Sequence, residues 1–435
     1  MNLFNNLGKY QIQYFNFLVA LIPLSFIAGN MIININIILI IILSLIFHNK
    51  KLFSIKFYFL DKLLIAYFIL IIFTGFYNYY FYDLENIISY VIKPYKSIFF
   101  LKYLMLYFIM RYLVEKNLIN IKTFFLSCLI STIFVSLDIF YQFYSGKDIF
   151  GFESIGRKFA GPFGNELIAG GFIQRFSLFS FFVIPLFFTN ISRNLTRYLF
   201  LFLFIIFFSA IILSGNRMPL LLFTFSLFLI FIFIKEIRKY FFYFVFMLSV
   251  IFLVFFNLEN KVKENFNVFF THIYKASNIL INNKDINESS PSYLREFNSF
   301  YDTWLLNKYI GGGIKNFRFY CHHRTNIDKN SKFICNMHPH NYYLEILTET
   351  GLIGFILITI IFFYILYLAF IKRFFFKNLF SKDDPIIPFI FLFIVEIFPV
   401  KSTGSFFTTG NSTYLFLLIG IMIGLLRKNN LIEKQ

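Results

Sequence analysis

Charge is scarce in this chain. Asp, Glu, Lys and Arg together supply 14% of the 435 residues, where a soluble domain uses about 25%. A water-facing surface of this size cannot be built from so few. Three cysteines are too few for a disulfide-stapled scaffold. Acidic residues are short as well: 22 against 40 basic, a formal charge of +18. In a soluble protein that imbalance would suggest nucleic acid. Here 58% of the residues are apolar and Phe alone fills 71 positions, so excess Lys and Arg read first as topology and lipid contact. A soluble, disordered or nucleic-acid-binding chain is excluded, and a polytopic membrane protein is left.

Apolar runs long enough to cross about 30 Å of hydrocarbon recur along the whole length. Twelve are read, at roughly 11–30, 32–47, 58–78, 97–114, 121–143, 168–189, 197–213, 218–234, 240–257, 341–371, 386–400 and 412–426. The first has neither a basic n-region nor an A-x-A-like site, so it is expected to stay as a helix. With the N-terminus cytoplasmic, every even-numbered boundary is basic: Lys50 and Lys51, Arg111 and Lys116, Arg193 and Arg197, Lys235 and Arg238, Lys372 and Arg373, Arg427 and Lys428. The positive-inside bias requires that register, and it puts both termini in the cytoplasm. The expected fold is an all-α bundle of about 12 transmembrane helices. Spans one to nine fill residues 1–257, a large periplasmic loop covers 258–340, and spans ten to twelve fill 341–435.

Several residues stand out of place on the outer face. Arg217, in Ser214-Gly215-Asn216-Arg217-Met218-Pro219, sits in a short external hairpin where positive charge is disfavoured. Pro219 fits a first helical turn, so Arg217 is expected near a helix N-terminus, a place suited to an anion. Snorkelling to lipid phosphate is the other reading of a lone arginine. Where the long loop re-enters the membrane, His338 and His340 precede Asn341, which is expected to cap a helix. Asn341, Glu345 and Glu349 then recur every four residues on one face, and carboxylates entering an apolar span are by default functional or satisfied within the bundle. A neutral imidazole at His340 could take a proton. Arg295 lies in a short amphipathic stretch ending near Trp304, and Gly311-Gly312-Gly313 could form a turn with exposed amides, an oxygen-binding nest. Lys93, Lys96 and Arg157 add to the external positive charge, which together suits a diphosphate. Cys321 and Cys335, 14 positions apart in the loop, form a disulfide or remain two free thiols. His322 and His323 beside Cys321 match no closed zinc site, so no metal is expected.

The pattern resembles the O-antigen ligase and O-antigen polymerase family of bacterial membrane glycosyltransferases. The resemblance rests on His340-Asn341 with Leu344, Glu349, Gly351 and Gly354, preceded by Ser214-Gly215-Asn216-Arg217, Arg295 with Trp304, and Gly311-Gly312-Gly313-Ile314-Lys315-Asn316-Phe317. It implies a GT-C-type architecture in the bacterial inner membrane with the active site on the periplasmic side. An undecaprenyl-diphosphate-linked glycan is the implied donor. The acceptor is a lipid A-core sugar in ligases and a second lipid-linked glycan in polymerases, which places the protein in lipopolysaccharide biosynthesis. The resemblance makes His340 the general base, with His338 as the other candidate, and gives Arg217 and Arg295 the diphosphate. Asn341, Glu345, Glu349, Arg157, Lys93 and Lys96 are expected to assist in substrate binding, with no cofactor. The ligase reading stands ahead of the polymerase. A flippase for the same glycan would spread its charges through the spans and carry an internal repeat. No convincing repeat is seen, and the charges gather on one face.

Overall fold

The computed structural model describes residues 2–81, 94–156, 158–187, 192–282, 286, 290–324, 335, 340–377, 384–401 and 404–429. No strand occurs among them, only two isolated bridges within 147–158. The protein is all-helical.

The first half of the chain runs through α1 (Asn2–Ala28), α2 (Asn30–Phe53), α3 (Phe59–Phe81), α4 (Tyr95–Glu115), α5 (Ile121–Ser145), α6 (Ala169–Phe187), α7 (Arg193–Leu213) and α8 (Arg217–Phe233). A single turn, α9 (Lys235–Arg238), leads to α10 (Phe241–Leu258). The expected loop is itself largely helical: α11 (Asn260–Ile281), α12 (Ser292–Trp304) and the short α13 (Phe317–Tyr320). The chain then returns through α14 (Tyr342–Leu366), a π-turn and α15 (Lys372–Lys377), and finishes with α16 (Ile387–Glu396) and α17 (Thr409–Lys428).

Each of the twelve expected stretches is helical. By length and composition, nine described helices can cross a membrane, or ten if the pair α10–α11 is one span bent by 106°. The other two stretches are the shorter apolar helices α8 and α16. The first runs from Arg217 to Phe233, within one residue of the expected span, and the second ends early, at Glu396 before Pro399.

Helix α17 is the axis of the bundle, with almost its whole length buried. Its closest neighbour is α4. A Cβ on Gly420 would touch Met110 and the Tyr107 carbonyl at 3.0 Å, and one on Gly424 would meet Val114 at 2.7 Å. Glycines four apart let two backbones approach where no hydrophobic effect is available to draw helices together.

The two ends of the bundle are chemically different. At one end Arg111 is buried in the last turns of α4, not in the connecting loop where sequence placed it. It pairs with Asp61 at 2.6 Å and with Glu115 at 2.8 Å, and Arg427 approaches Glu115 at 3.6 Å. Two cations meet two carboxylates there, which suits a structural network. The starts of α6, α8, α14 and α17 gather at the other end.

Candidate active site at the start of α14

Asn341 caps α14 as its residue type demands. Its Oδ1 accepts from the Tyr343 and Leu344 N–H groups at 3.0 and 3.1 Å, satisfying two orphan donors of the first turn. Its Nδ2 donates the other way, to the carbonyls of Pro399 and Lys401 at 2.8 and 3.3 Å. The side chain of Asn341 is therefore engaged on both sides. His340, immediately before it, adopts φ 52° in the left-handed region and is exposed. Surrounding protein still strips enough water from the ring to hold its pKa below the ordinary histidine value.

The connection between α16 and α17 is fastened to the same turn. Tyr343 donates its hydroxyl to the Ile397 carbonyl at 2.6 Å. Ser405 Oγ and the Phe406 N–H both donate to Glu345 at 2.5 Å. Beneath them lies a charge network that the sequence reading missed. Arg175 of α6 donates to Glu396 at 3.0 Å and to Asn411 at 2.5 Å. Lys401 pairs with the same Glu396 oxygen at 2.6 Å, and the Tyr342 hydroxyl donates to it as well. Burial pushes the Lys401 ammonium down to about 8, against the pull of Glu396. Two cations thus share one buried carboxylate directly under the turn that carries His340. The available signal was a lone charge inside each of two apolar runs, Arg175 and Glu396, with Lys401 just past the second, the pattern that marks function or pairing in a membrane.

Arg295 reaches the same end through α12. Thr348 of α14 donates to the Phe300 carbonyl at 3.3 Å, and one helical step further the Leu352 N–H donates to the Lys308 carbonyl at 2.8 Å. These pairings hold α12 and the turn that follows it against α14. Cys321 and Cys335 are bonded, with Cα atoms 5.7 Å apart. Their cystine packs with Phe300, Phe317 and Leu344, below the segment that delivers His340.

Arg217 opens α8, with Pro219 in its first turn. The preceding Asn216 is tied to α6, accepting from the Gly170 N–H and donating to the Leu167 carbonyl, each at 3.1 Å. The Arg217 guanidinium lies over the Phe269 ring of α11, 5.6 Å from its centre. One turn along α11, the His272 carbonyl accepts from the Tyr293 hydroxyl of α12 at 3.3 Å. Arg217 and the first turn of α12 therefore both meet one stretch of α11.

The triple glycine is not the expected oxygen-binding nest. Helix α14 breaks at Gly351, φ 65°, and the loop repairs the break. The Gly312 and Gly313 N–H groups donate to the carbonyls of Thr348 and Glu349, while the Leu352 and Ile353 N–H groups donate to Lys308 and Tyr309. The Gly311 N–H goes to Asn307. Its amides are committed to an irregular backbone that lipid could not satisfy. Glu349 is buried behind this loop, accepting from the Lys315 N–H within electrostatic reach of Lys315, Lys96 and Glu345. Glu345 and Glu349 do share a face, turned into the bundle. Lys93, Arg157 and His338 lie outside the described residues.

Residues 202–359 match a family model described as O-antigen ligase. The chain carries an O-antigen ligase family domain. That domain contains Arg217, Arg295, His340 and both buried glutamates, and it supports assignment of the protein to the O-antigen ligase and polymerase family. Arg175, Glu396 and Lys401 lie outside the matched stretch. No curated protein matches the chain.

Proposed function

We propose that this protein is a periplasm-facing, metal-independent glycan transferase of the inner membrane. It moves an undecaprenyl-diphosphate-linked glycan onto an acceptor sugar, and the O-antigen ligase reading, with lipid A-core as acceptor, is preferred. The observation that carries it is that Arg217, Arg295 and His340 all fall inside the family-matched stretch, with His340 set just ahead of the Asn341-capped first turn of α14. The cystine Cys321–Cys335 supports an oxidising compartment for that end.

In this reading the acceptor hydroxyl oxygen attacks the anomeric carbon of the donor. The bond from that carbon to the diphosphate oxygen breaks, and the hydroxyl proton passes to His340. Direct displacement inverts the anomeric centre. A diphosphate is already a good leaving group, so positioning, a base and cations suffice. Arg217 and Arg295 hold the diphosphate and offset its growing charge. His338 is the alternative base, and Lys93, Lys96 and Arg157 are proposed to add positive charge for substrate binding. Asn341, Glu345 and Glu349 serve through the scaffold: the first two clamp the α14 turn, and Glu349 holds the glycine loop.

Glycolipid analysis of a deletion strain tests the reading. Bare core, with full-length polymer still on its carrier, is the expected result. Core capped by single repeats would reassign the protein as a polymerase joining lipid-linked repeats. Chelation by EDTA is expected to leave the transfer rate unchanged, and its loss would return a metal to the site.

A further inference from the structure

A second group of cations lies where α4 meets α2 and the glycine loop. Lys102 lies seven residues into α4, about 10 Å below the helix start at 1.5 Å per residue. An ammonium at that depth is expensive unless it meets a partner or serves a ligand. Its Nζ donates to Asn34 Oδ1 of α2 at 2.5 Å, while the Asn34 amide nitrogen is spent on the Asn30 carbonyl at 2.9 Å. Lys102 is also within electrostatic reach of Lys315, a like charge. Lys315 holds a left-handed backbone, φ 59°, at an exposed corner of the glycine loop. A non-glycine residue in that conformation persists where the surrounding structure imposes it. Lys96 and Arg318 border the group, both over the Phe319 ring, at 5.7 and 5.1 Å from its centre.

Among the described residues, the buried carboxylates Glu345 and Glu349 both lie within electrostatic reach of Lys315, Glu349 also of Lys96, and the Glu349 Oε2 has no hydrogen-bond partner. The approach to Lys102 is apolar. Met31, Ile35 and Ile38 of α2 and Ile98, Phe99 and Met105 of α4 are all exposed, as lipid-facing residues are. An anion reaching Lys102 from that side arrives with a hydrocarbon tail. Basic pockets between membrane helices take phosphorylated lipid head groups for this reason.

We propose that Lys102 and Lys315, bordered by Lys96 and Arg318, form a second anion site that binds the phosphate of a phosphorylated acceptor lipid entering between α2 and α4. The acceptor role rests on the transferase reading; the site as a phosphate-lipid pocket does not. Donor diphosphate and acceptor phosphate are then held by separate cation groups.

The test uses the purified full-length protein with Lys102→Met, Lys315→Ala and the double substitution. Bound lipid is counted by native mass spectrometry during titration with phosphorylated core glycolipid and, separately, with phosphatidylglycerol. Transfer kinetics are run with donor and acceptor varied independently. The double variant is expected to bind the phosphorylated glycolipid about tenfold more weakly, the effect of losing charge-assisted contacts. Its acceptor KM rises by a similar factor, its donor KM stays unchanged, and Lys102→Arg restores most of the binding. An unchanged acceptor KM, or loss of phosphatidylglycerol binding alone, would overturn the proposal and leave an annular lipid contact. If the wild type transfers no glycan, the functional reading fails, and the glycolipid titration still decides the pocket.

Discussion

At position 340 a left-handed backbone puts the side chain outside the first turn of α14, while desolvation keeps the ring neutral. The sign of the pH effect follows. A histidine whose pKa lies below its ordinary value, about 6.5, stays deprotonated and able to accept a proton through neutral pH. Transfer is therefore expected to hold as pH falls to 6.5 and to drop only below it, when kcat/KM is followed against pH; an acid limb at or above 6.5 would remove His340 as the base. His340→Ala should abolish transfer, by the 100-fold or more typical of a lost general base, while the protein still inserts and binds donor. Survival of activity would hand the role to His338. Arg217→Lys should lose most activity despite its retained charge, because an ammonium cannot reproduce the bidentate contact to phosphate; equal rates would count against a clamp there. These three positions were legible because each broke a local rule, an arginine in a short outer hairpin or a His-Asn pair at a re-entry point. Arg175, Glu396 and Lys401 broke the same kind of rule, but nothing in sequence shows that they meet on one carboxylate.

Helix α14 is a broken element repaired by a loop nearly forty residues upstream, and that pairing sets its tolerance to change. A Cβ on Gly351 would overlap the Tyr309 carbonyl at a φ of 65°, and one on Gly311 would run into the Glu349–Gly351 backbone. Gly351→Ala is expected to destabilise by more than about 1 kcal/mol, the usual scale when a side chain is forced into an incompatible backbone. A lowered melting temperature in detergent would show it, and an unchanged one would mean that the break is not imposed by the loop. The glycine run was legible as a turn but not as a repair. Composition reveals that amides can be exposed, whereas their partners lie on a helix that reads as continuous. The α16–α17 clamp makes a second prediction. Lys401 has a folded pKa near 8, below its unfolded value of about 10.4, so between them the unfolded chain binds more protons. Stability rises with pH across that window as the cost of a buried ammonium is relieved. The melting temperature of wild type should therefore gain on that of Lys401→Met between pH 8 and 10, and a parallel pair of curves would refute the assignment.

The whole molecule carries a buried charge network at each end. Asp61, Arg111, Glu115 and Arg427 balance at the first, whereas Arg175 and Lys401 share Glu396 at the second, with Arg217, Arg295 and Lys102 nearby. The alternation of basic boundaries made the threading legible from sequence, because short loops obey a charge rule. The length of α16 did not follow from it, since the apolar run continues past the buried Glu396 where the helix ends. Which end faces outward can be read from thiol chemistry. Cys128 is free and buried in α5, Cys321 is buried as well, and Cys335 is half-buried, so Cys335 carries the reachable sulfur at the His340 end. In intact inner-membrane spheroplasts, a membrane-impermeant maleimide is expected to label nothing before reduction and Cys335 after it, with the double substitution Cys321→Ser and Cys335→Ser removing the signal. Closing a loop of this length stabilises by about 3 kcal/mol, so either serine variant should also melt earlier. Labelling that appears only after the inner membrane is permeabilised would place His340 in the cytoplasm. The lipid-diphosphate donor would then be on the wrong side of the bilayer, and the transferase reading would fall with it.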